Sequence, residues 1–231
     1  MLCQVGHVDS GKSTLCGRLL HALGLISKKQ MHKYEKEAKE KVSSVIRVAS
    51  ASHPAIAAYI VKMLLYQGKG SFAYAWAMDD ITDERERGIT MTVAVKYFDT
   101  EKYHVVLLDS PGHKDFVPNM ISGATQADAA VLVVDASIGS FEAGMGVNGI
   151  GQTKEHSQLI RSFGVENLIV AVNKMDMVEY SKDRFNFVKS QLGIFLRSCG
   201  FKDSSITWVP LSAMANENLM TTASDSRLLS W

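Results

Sequence analysis

Hydrophobic and polar positions follow two regimes along this chain. Residues 105–108, 129–134 and 168–172 are short, uninterrupted apolar runs. A run without a polar face predicts a strand covered on both sides, as in a parallel sheet packed between helices. Elsewhere apolar residues recur at spacings of three and four: Leu15, Leu19 and Leu23 in one stretch, Phe185, Val188, Leu192, Phe195 and Cys199 in another. That period gathers them on one face of a helix. Two further runs, 2–5 and 206–211, read as strands beside loops discussed below. Strands alternating with helices predict an α/β fold: a doubly wound, mostly parallel sheet flanked by helices.

Residues 42–67 break this rhythm, with only Arg47 and Lys62 fully charged and no acid at all. From Pro54 the stretch reads as a helix, since proline suits a first helical turn. Ile56, Tyr59, Ile60, Met63 and Leu64 form its apolar stripe. It is too short to cross a bilayer. A docked surface helix is the plain expectation; a partner-binding helix and a disordered insert are the alternatives.

Composition narrows the class. The 231 residues, 46% hydrophobic and 21% charged, suffice for one well-buried core, so a single domain over 1–231 is expected. A net charge of +1 exerts no global pull on nucleic acid or membrane. RNA contacts would need a local patch such as Lys28, Lys29, Lys33, Lys36, Lys39 and Lys41. Cys3, Cys16 and Cys199 have no metal-ligand spacing and read as idle thiols of a reducing compartment. Chemistry begins within a few residues of Met1, so no signal peptide is expected and a cytoplasmic location is.

That chemistry starts at Gly6-His7-Val8-Asp9-Ser10-Gly11-Lys12-Ser13, two glycines followed by a lysine and a hydroxyl, ahead of a predicted helix. Glycines let successive backbone N–H groups turn inward on phosphates, and the helix start adds its positive dipole end. Lys12 would neutralise charge between β- and γ-phosphates and Ser13 would ligate magnesium. Gly6 through Thr14 are the expected phosphate-binding set. Asp109-Ser110-Pro111-Gly112-His113 closes the run 105–108, where functional loops of such sheets sit. Asp109 would hold the metal, and the Gly112 N–H would approach the γ-phosphate. Thr90 would cap the metal shell with its hydroxyl and release on hydrolysis. The expected metal ligands are therefore Ser13, Thr90 and Asp109.

Base choice is written in Asn173-Lys174-Met175-Asp176. A carboxylate at Asp176 accepts from both N1–H and the exocyclic amine of guanine, whereas adenine would leave it unpaired. Asn173 would tie this loop to the phosphate loop, and the Lys174 stem would pack over the ring. Ser212, Ala213 and Met214 would border the guanine carbonyl, offering a backbone N–H. The expected cofactors are GTP or GDP and Mg2+.

These motifs, with Arg87-Gly88-Ile89-Thr90 and Gln152-Thr153-Lys154-Glu155-His156, resemble the translational GTPase family of elongation factors Tu and one-alpha and release factor three. The runs Met31–Glu35, Ser71–Trp76 and His113–Met120 are most similar to the ribosome-rescue branch that partners Pelota. The resemblance implies ribosome-stimulated GTP hydrolysis, with His113 orienting the attacking water and Val8 and Ile89 gating it. It also implies a carboxylate at Asp9 near the phosphates and structural roles for the His7 and His156 rings. The implied partners are the ribosome and a Pelota-type protein, with no membrane and a monomeric state. Against this family, 42–67 reads as an insertion whose composition fits translated intron sequence. The domain reads as shortened at both ends, with the final helix and two β-barrel domains absent and apolar sheet surface exposed. A non-cycling nucleotide-binding fragment and a release-factor or elongation-factor-one-alpha type of GTPase are the alternatives.

Overall fold

The computed structural model describes residues 1–52, 71–78, 84, 90–146 and 151–230, and gives backbone alone at 41–52, 71, 72 and 114. The helix expected from Pro54, and the residues Arg87, Gly88 and Ile89, lie outside these. Six strands form one sheet in the order β2-β3-β1-β4-β5-β6. They are β1 (Leu2–Val5), β2 (Ala94–Asp99), β3 (His104–Asp109), β4 (Ala129–Asp135), β5 (Asn167–Asn173) and β6 (Ile206–Pro210). All neighbours are parallel except the hairpin partners β2 and β3. The helices are α1 (Lys12–Ala22), α2 (Lys28–Ser52), α3 (Ser71–Trp76), α4 (Val117–Ala124), α5 (Ser140–Met145), α6 (Gln152–Ser162), α7 (Lys182–Ser198) and α8 (Ser226–Leu229). The α/β, mostly parallel expectation holds, and each apolar run lies within a strand, except that 206–211 passes the end of β6 by one residue.

The sheet's two faces are covered unequally. On one, Val5, Leu132, Val134, Val170 and Val172 pack with Ile160 of α6 and Val188, Leu192 and Leu196 of α7. Each such side chain, fully withdrawn from water, contributes about 1.5–3 kcal/mol. On the other, Leu15 of α1 packs with Val133, Ala171 and Leu211, while Val131 and Val209 are only partly buried. Ile169 on β5 is 37% exposed, which corrects the expectation that this run is covered on both sides. It pairs with Val131 and Thr207 at the start of the strands, below the reach of Leu15.

The helix periods also need a small correction. Leu196, rather than Phe195, carries the buried stripe of α7, and Cys199 is its half-buried C-cap. In α1 the buried apolar side chains are Leu15, Cys16 and Leu20, with Leu19 and the C-cap Leu23 half-buried. A helix advances 3.6 residues per turn, so the strict i+4 row of α1 drifts off the contact face one way and the 3.5-residue row of α7 drifts off it the other way. Residues 42–52 continue α2 as unbroken helix. Among the described residues no helix is long and apolar enough to cross a membrane.

Candidate functional site

The sheet brings the carboxyl ends of β1, β3, β4 and β5 together, and a doubly wound sheet places its ligand loops there. The loop after β1 leads into α1, whose N-cap Gly11 has φ 91° and whose first turn has no side-chain cap. A Cβ at Gly11 would lie 2.5 Å from Nδ2 of Asn173, so only glycine lets the two loops meet. Lys12 is 6% exposed and its ammonium donates to the carbonyls of Gly6 at 3.0 Å and His7 at 2.9 Å. Burial pushes it down to about 8, against the pull of the Asp109 and Asp9 carboxylates. Asp9 is exposed with φ 59°, Val8 and His7 are half-buried, and Thr14 is buried. The Ser10 hydroxyl is buried without a hydrogen-bond partner.

Beside Lys12 sit the oxygen donors expected for magnesium. The hydroxyls of Ser13 and Thr90 are 3.0 Å apart. Asp109 is fully buried, and neither carboxylate oxygen has a partner in hydrogen-bonding geometry. Burial pushes its pKa up to about 6, with the Ser13 hydroxyl and the Lys12 ammonium pulling back and Glu84 adding to the push. A buried carboxylate left unpaired is costly, and two adjacent hydroxyls complete a hard, all-oxygen donor set that fits magnesium. Gly112 closes this side: a Cβ there would stand 2.3 Å from the Lys12 ammonium and 3.1 Å from the Val8 nitrogen. His113, next in the chain, does not join this cluster. Its Nδ1 accepts from the Asp115 N–H at 3.3 Å, its ring tilts against Phe116 at 6.0 Å, and its side chain is 34% exposed.

The base end is held by Asn173, 2% exposed at the tip of β5. Its Nδ2 donates to the Ser10 carbonyl at 3.0 Å, and its Oδ1 accepts from the Ala213 N–H at 3.0 Å. One side chain therefore cross-links the phosphate loop to the Ser212–Met214 loop. Lys174, left-handed at φ 61°, donates at 2.7 Å both to the Asp9 carbonyl and to Asp135. Asp176 follows on a turn anchored by buried Met175, and its Oδ1 is buried without a partner. Ser212 is buried, its hydroxyl accepting from the Ala215 N–H at 3.1 Å, and Met214 is half-buried beside it.

Four contributors escaped the sequence reading. Gln4, buried in β1, donates to the Lys12 carbonyl at 2.9 Å. Asp135 ends β4 as Asp109 ends β3, a repeated polar stop that was legible in the pattern. Glu84 and Asn119 reach the chain just after Thr90, and no spacing announces that. Cys3 and Cys16 are buried and Cys199 is half-buried. Burial pushes the Cys3 thiol up to about 11 and that of Cys16 well above its usual range, so neither is a ready nucleophile.

His156 is fully buried, and neither ring nitrogen has a partner in hydrogen-bonding geometry. Burial, followed by the Lys12 charge, lowers its pKa to about 4. Between pH 6.5 and 4 the unfolded chain holds this proton and the folded chain does not, so His156 costs stability as pH falls, up to ~3 kcal/mol. Asp109 works in the opposite sense. Its raised pKa makes the folded chain the better proton acceptor below about pH 6, where it adds stability. The nucleotide-free chain should therefore show a shallow acid slope, and His156→Leu should become more stable from pH 6 toward 4. Urea midpoints across that range check it; identical slopes in the two proteins would rule out the buried neutral imidazole.

Residues 1–228 match the model for the Elongation factor Tu GTP binding domain. Protein HBS1 of Drosophila melanogaster is 46% identical across 98% of this chain and 30% of its own length. Elongation factor 1-alpha of Hyperthermus butylicus is 45% identical across 95% of this chain and 44% of its own. The crystal structure of sup35 complexed with GDP superposes with a TM-score of 0.60 at 28% identity, over 100% of this chain and 40% of that one. The chain thus spans less than half the length of these relatives.

Proposed function

The chain belongs to the elongation factor Tu GTP-binding-domain family, and from that premise we propose that it binds magnesium–GTP and hydrolyses the terminal phosphate. We place it, as a cytoplasmic G domain, in rescue of stalled ribosomes beside a Pelota-type partner. The reading rests on the Asn173 cross-link, which draws the phosphate loop and the base loop to one pocket. The branch follows the likeness to Protein HBS1.

Each residue has a task in this scheme. Backbone N–H groups from Gly6 to Thr14 hold the phosphates, Lys12 offsets their charge, and Gly112 brings its N–H against the same loop. Ser13, Thr90 and Asp109 hold magnesium, which supplies neutralisation of the charge spread over the γ-phosphoryl oxygens. Asp176 selects guanine, while Lys174 and Asp135 fix the height of the base loop above Asp9. His113 reorients from its own turn toward the water when the ribosome engages.

Competition binding tests the core of this. GTP should displace a fluorescent guanine nucleotide at least about a thousandfold better than ATP, since a polar site rejects a base that leaves its carboxylate unpaired. Turnover should be slow alone and rise with stalled ribosomes carrying a Pelota-type protein. Equal displacement by ATP would remove the reading; tight GTP binding without stimulated turnover would reduce it to a non-cycling module.

A further inference from the structure

The chain just beyond Thr90 is gripped from two directions. Glu84 is 3% exposed, and a single carboxylate oxygen accepts from the Met91 N–H at 2.8 Å, the Thr92 N–H at 2.8 Å and the Thr92 hydroxyl at 2.9 Å. From the other side, Asn119 of α4 donates to the Met91 carbonyl at 2.7 Å. The residue between this grip and the metal donors is Thr90, whose hydroxyl meets Ser13 at 3.0 Å.

We propose that Glu84 and Asn119 form a clasp that fixes the Met91–Thr92 backbone and so sets the Thr90 hydroxyl over Ser13. Both are positioning residues: neither touches nucleotide, and each acts through Thr90. The inference rests on the magnesium–GTP reading of the same pocket and adds how that pocket is held. Its logic is one of reach and charge. A threonine at a loop end has two soft backbone dihedrals, one on each side of its Cα, so its hydroxyl is placed only if the following peptide is fixed. Three donors converging on one buried carboxylate are charge-assisted bonds, stronger than neutral ones. Asn119 is exposed and its single bond to Met91 is weaker, but it comes from the helix that follows Asp109 and Gly112. The clasp therefore couples the two loops that converge on the terminal phosphate: when Thr90 is held, α4 is held with it.

A clasp acting through Thr90 serves the triphosphate state and leaves diphosphate binding to Lys12 and the loop amides. The test is release of fluorescent GDP and of a fluorescent non-hydrolysable GTP analogue from the full 231-residue chain, in magnesium and in EDTA. Glu84→Ala should speed release of the triphosphate analogue about tenfold in magnesium, because two backbone N–H donors and a hydroxyl lose their charged acceptor. GDP release should stay within about twofold, since no bond in this group faces it. Glu84→Gln keeps an acceptor oxygen and should fall between. Asn119→Ala, at an exposed position that leaves folding intact, should give about threefold on the analogue alone. In EDTA the gap between wild type and variants should close, because Thr90 works through the metal. Equal acceleration of both nucleotides, or none in any variant, overturns the clasp. A wild-type chain that retains neither nucleotide strikes the function proposed above instead, so the two failures are distinguishable.

Discussion

Asp176→Asn should lose GTP affinity by about two to three orders of magnitude and gain xanthosine triphosphate in its place. In the wild-type chain the carboxylate offers two acceptor oxygens, and guanine presents two donors, N1–H and the exocyclic amine. An asparagine keeps one acceptor for N1–H but turns its amide N–H groups toward the amine, so donor faces donor. Xanthine carries a carbonyl where guanine has the amine, and the amide then finds an acceptor. The arithmetic favours a large swing, because leaving a buried polar group unpaired costs more than an average hydrogen bond yields. Stability should hardly move: Asp176 Oδ1 has no hydrogen-bond partner to lose. The substitution thus separates recognition from folding. Competition between GTP and xanthosine triphosphate on the purified variant reads the ratio directly. An unchanged guanine preference would falsify the assignment of base choice to this carboxylate.

Which parts of this picture the residue pattern could disclose follows from where the constraints lie. Buried strands betray themselves because a side chain between two helix layers must be apolar, and 105–108, 129–134 and 168–172 all fall inside β3, β4 and β5. The phosphate loop was legible because its conformation restricts residue type locally: at Gly11, φ 91° and the 2.5 Å approach to Asn173 tolerate little else. Ile169 misled for the opposite reason. An isoleucine on a strand's open face looks identical in sequence to one that is covered, and only the position of α1 distinguishes them. Glu84 and Asn119 were invisible because, the Thr92 hydroxyl aside, their partners are backbone atoms of Met91 and Thr92, groups that almost every residue carries. Asp135 lay between these cases. Its position at a strand end was readable, but its pairing with Lys174 at 2.7 Å needs two loops that are distant in the chain.

His113→Ala should bind GTP as tightly as the wild-type chain and lose ribosome-stimulated turnover by roughly three orders of magnitude. The imidazole makes its contacts within its own turn, with Asp115 and Phe116, so its removal disturbs neither Lys12 nor Asp109. Melting temperature should accordingly change by no more than a surface substitution would cause. In phosphoryl transfer there is little covalent work for a side chain, so whatever this ring supplies is placement of the attacking water. Slow unstimulated hydrolysis should therefore survive, because the ring's contacts are with Asp115 and Phe116 of its own turn. His113→Gln offers the discriminating comparison, since its amide can hold a water without titrating. If placement is what matters, Gln should recover a measurable part of the stimulated rate and Ala none. Single-turnover rates with saturating ribosomes resolve the three proteins. Equal stimulated rates in the wild-type and Ala chains would end the role of His113, whereas a wild-type chain that ribosomes fail to accelerate would count against the translational assignment itself.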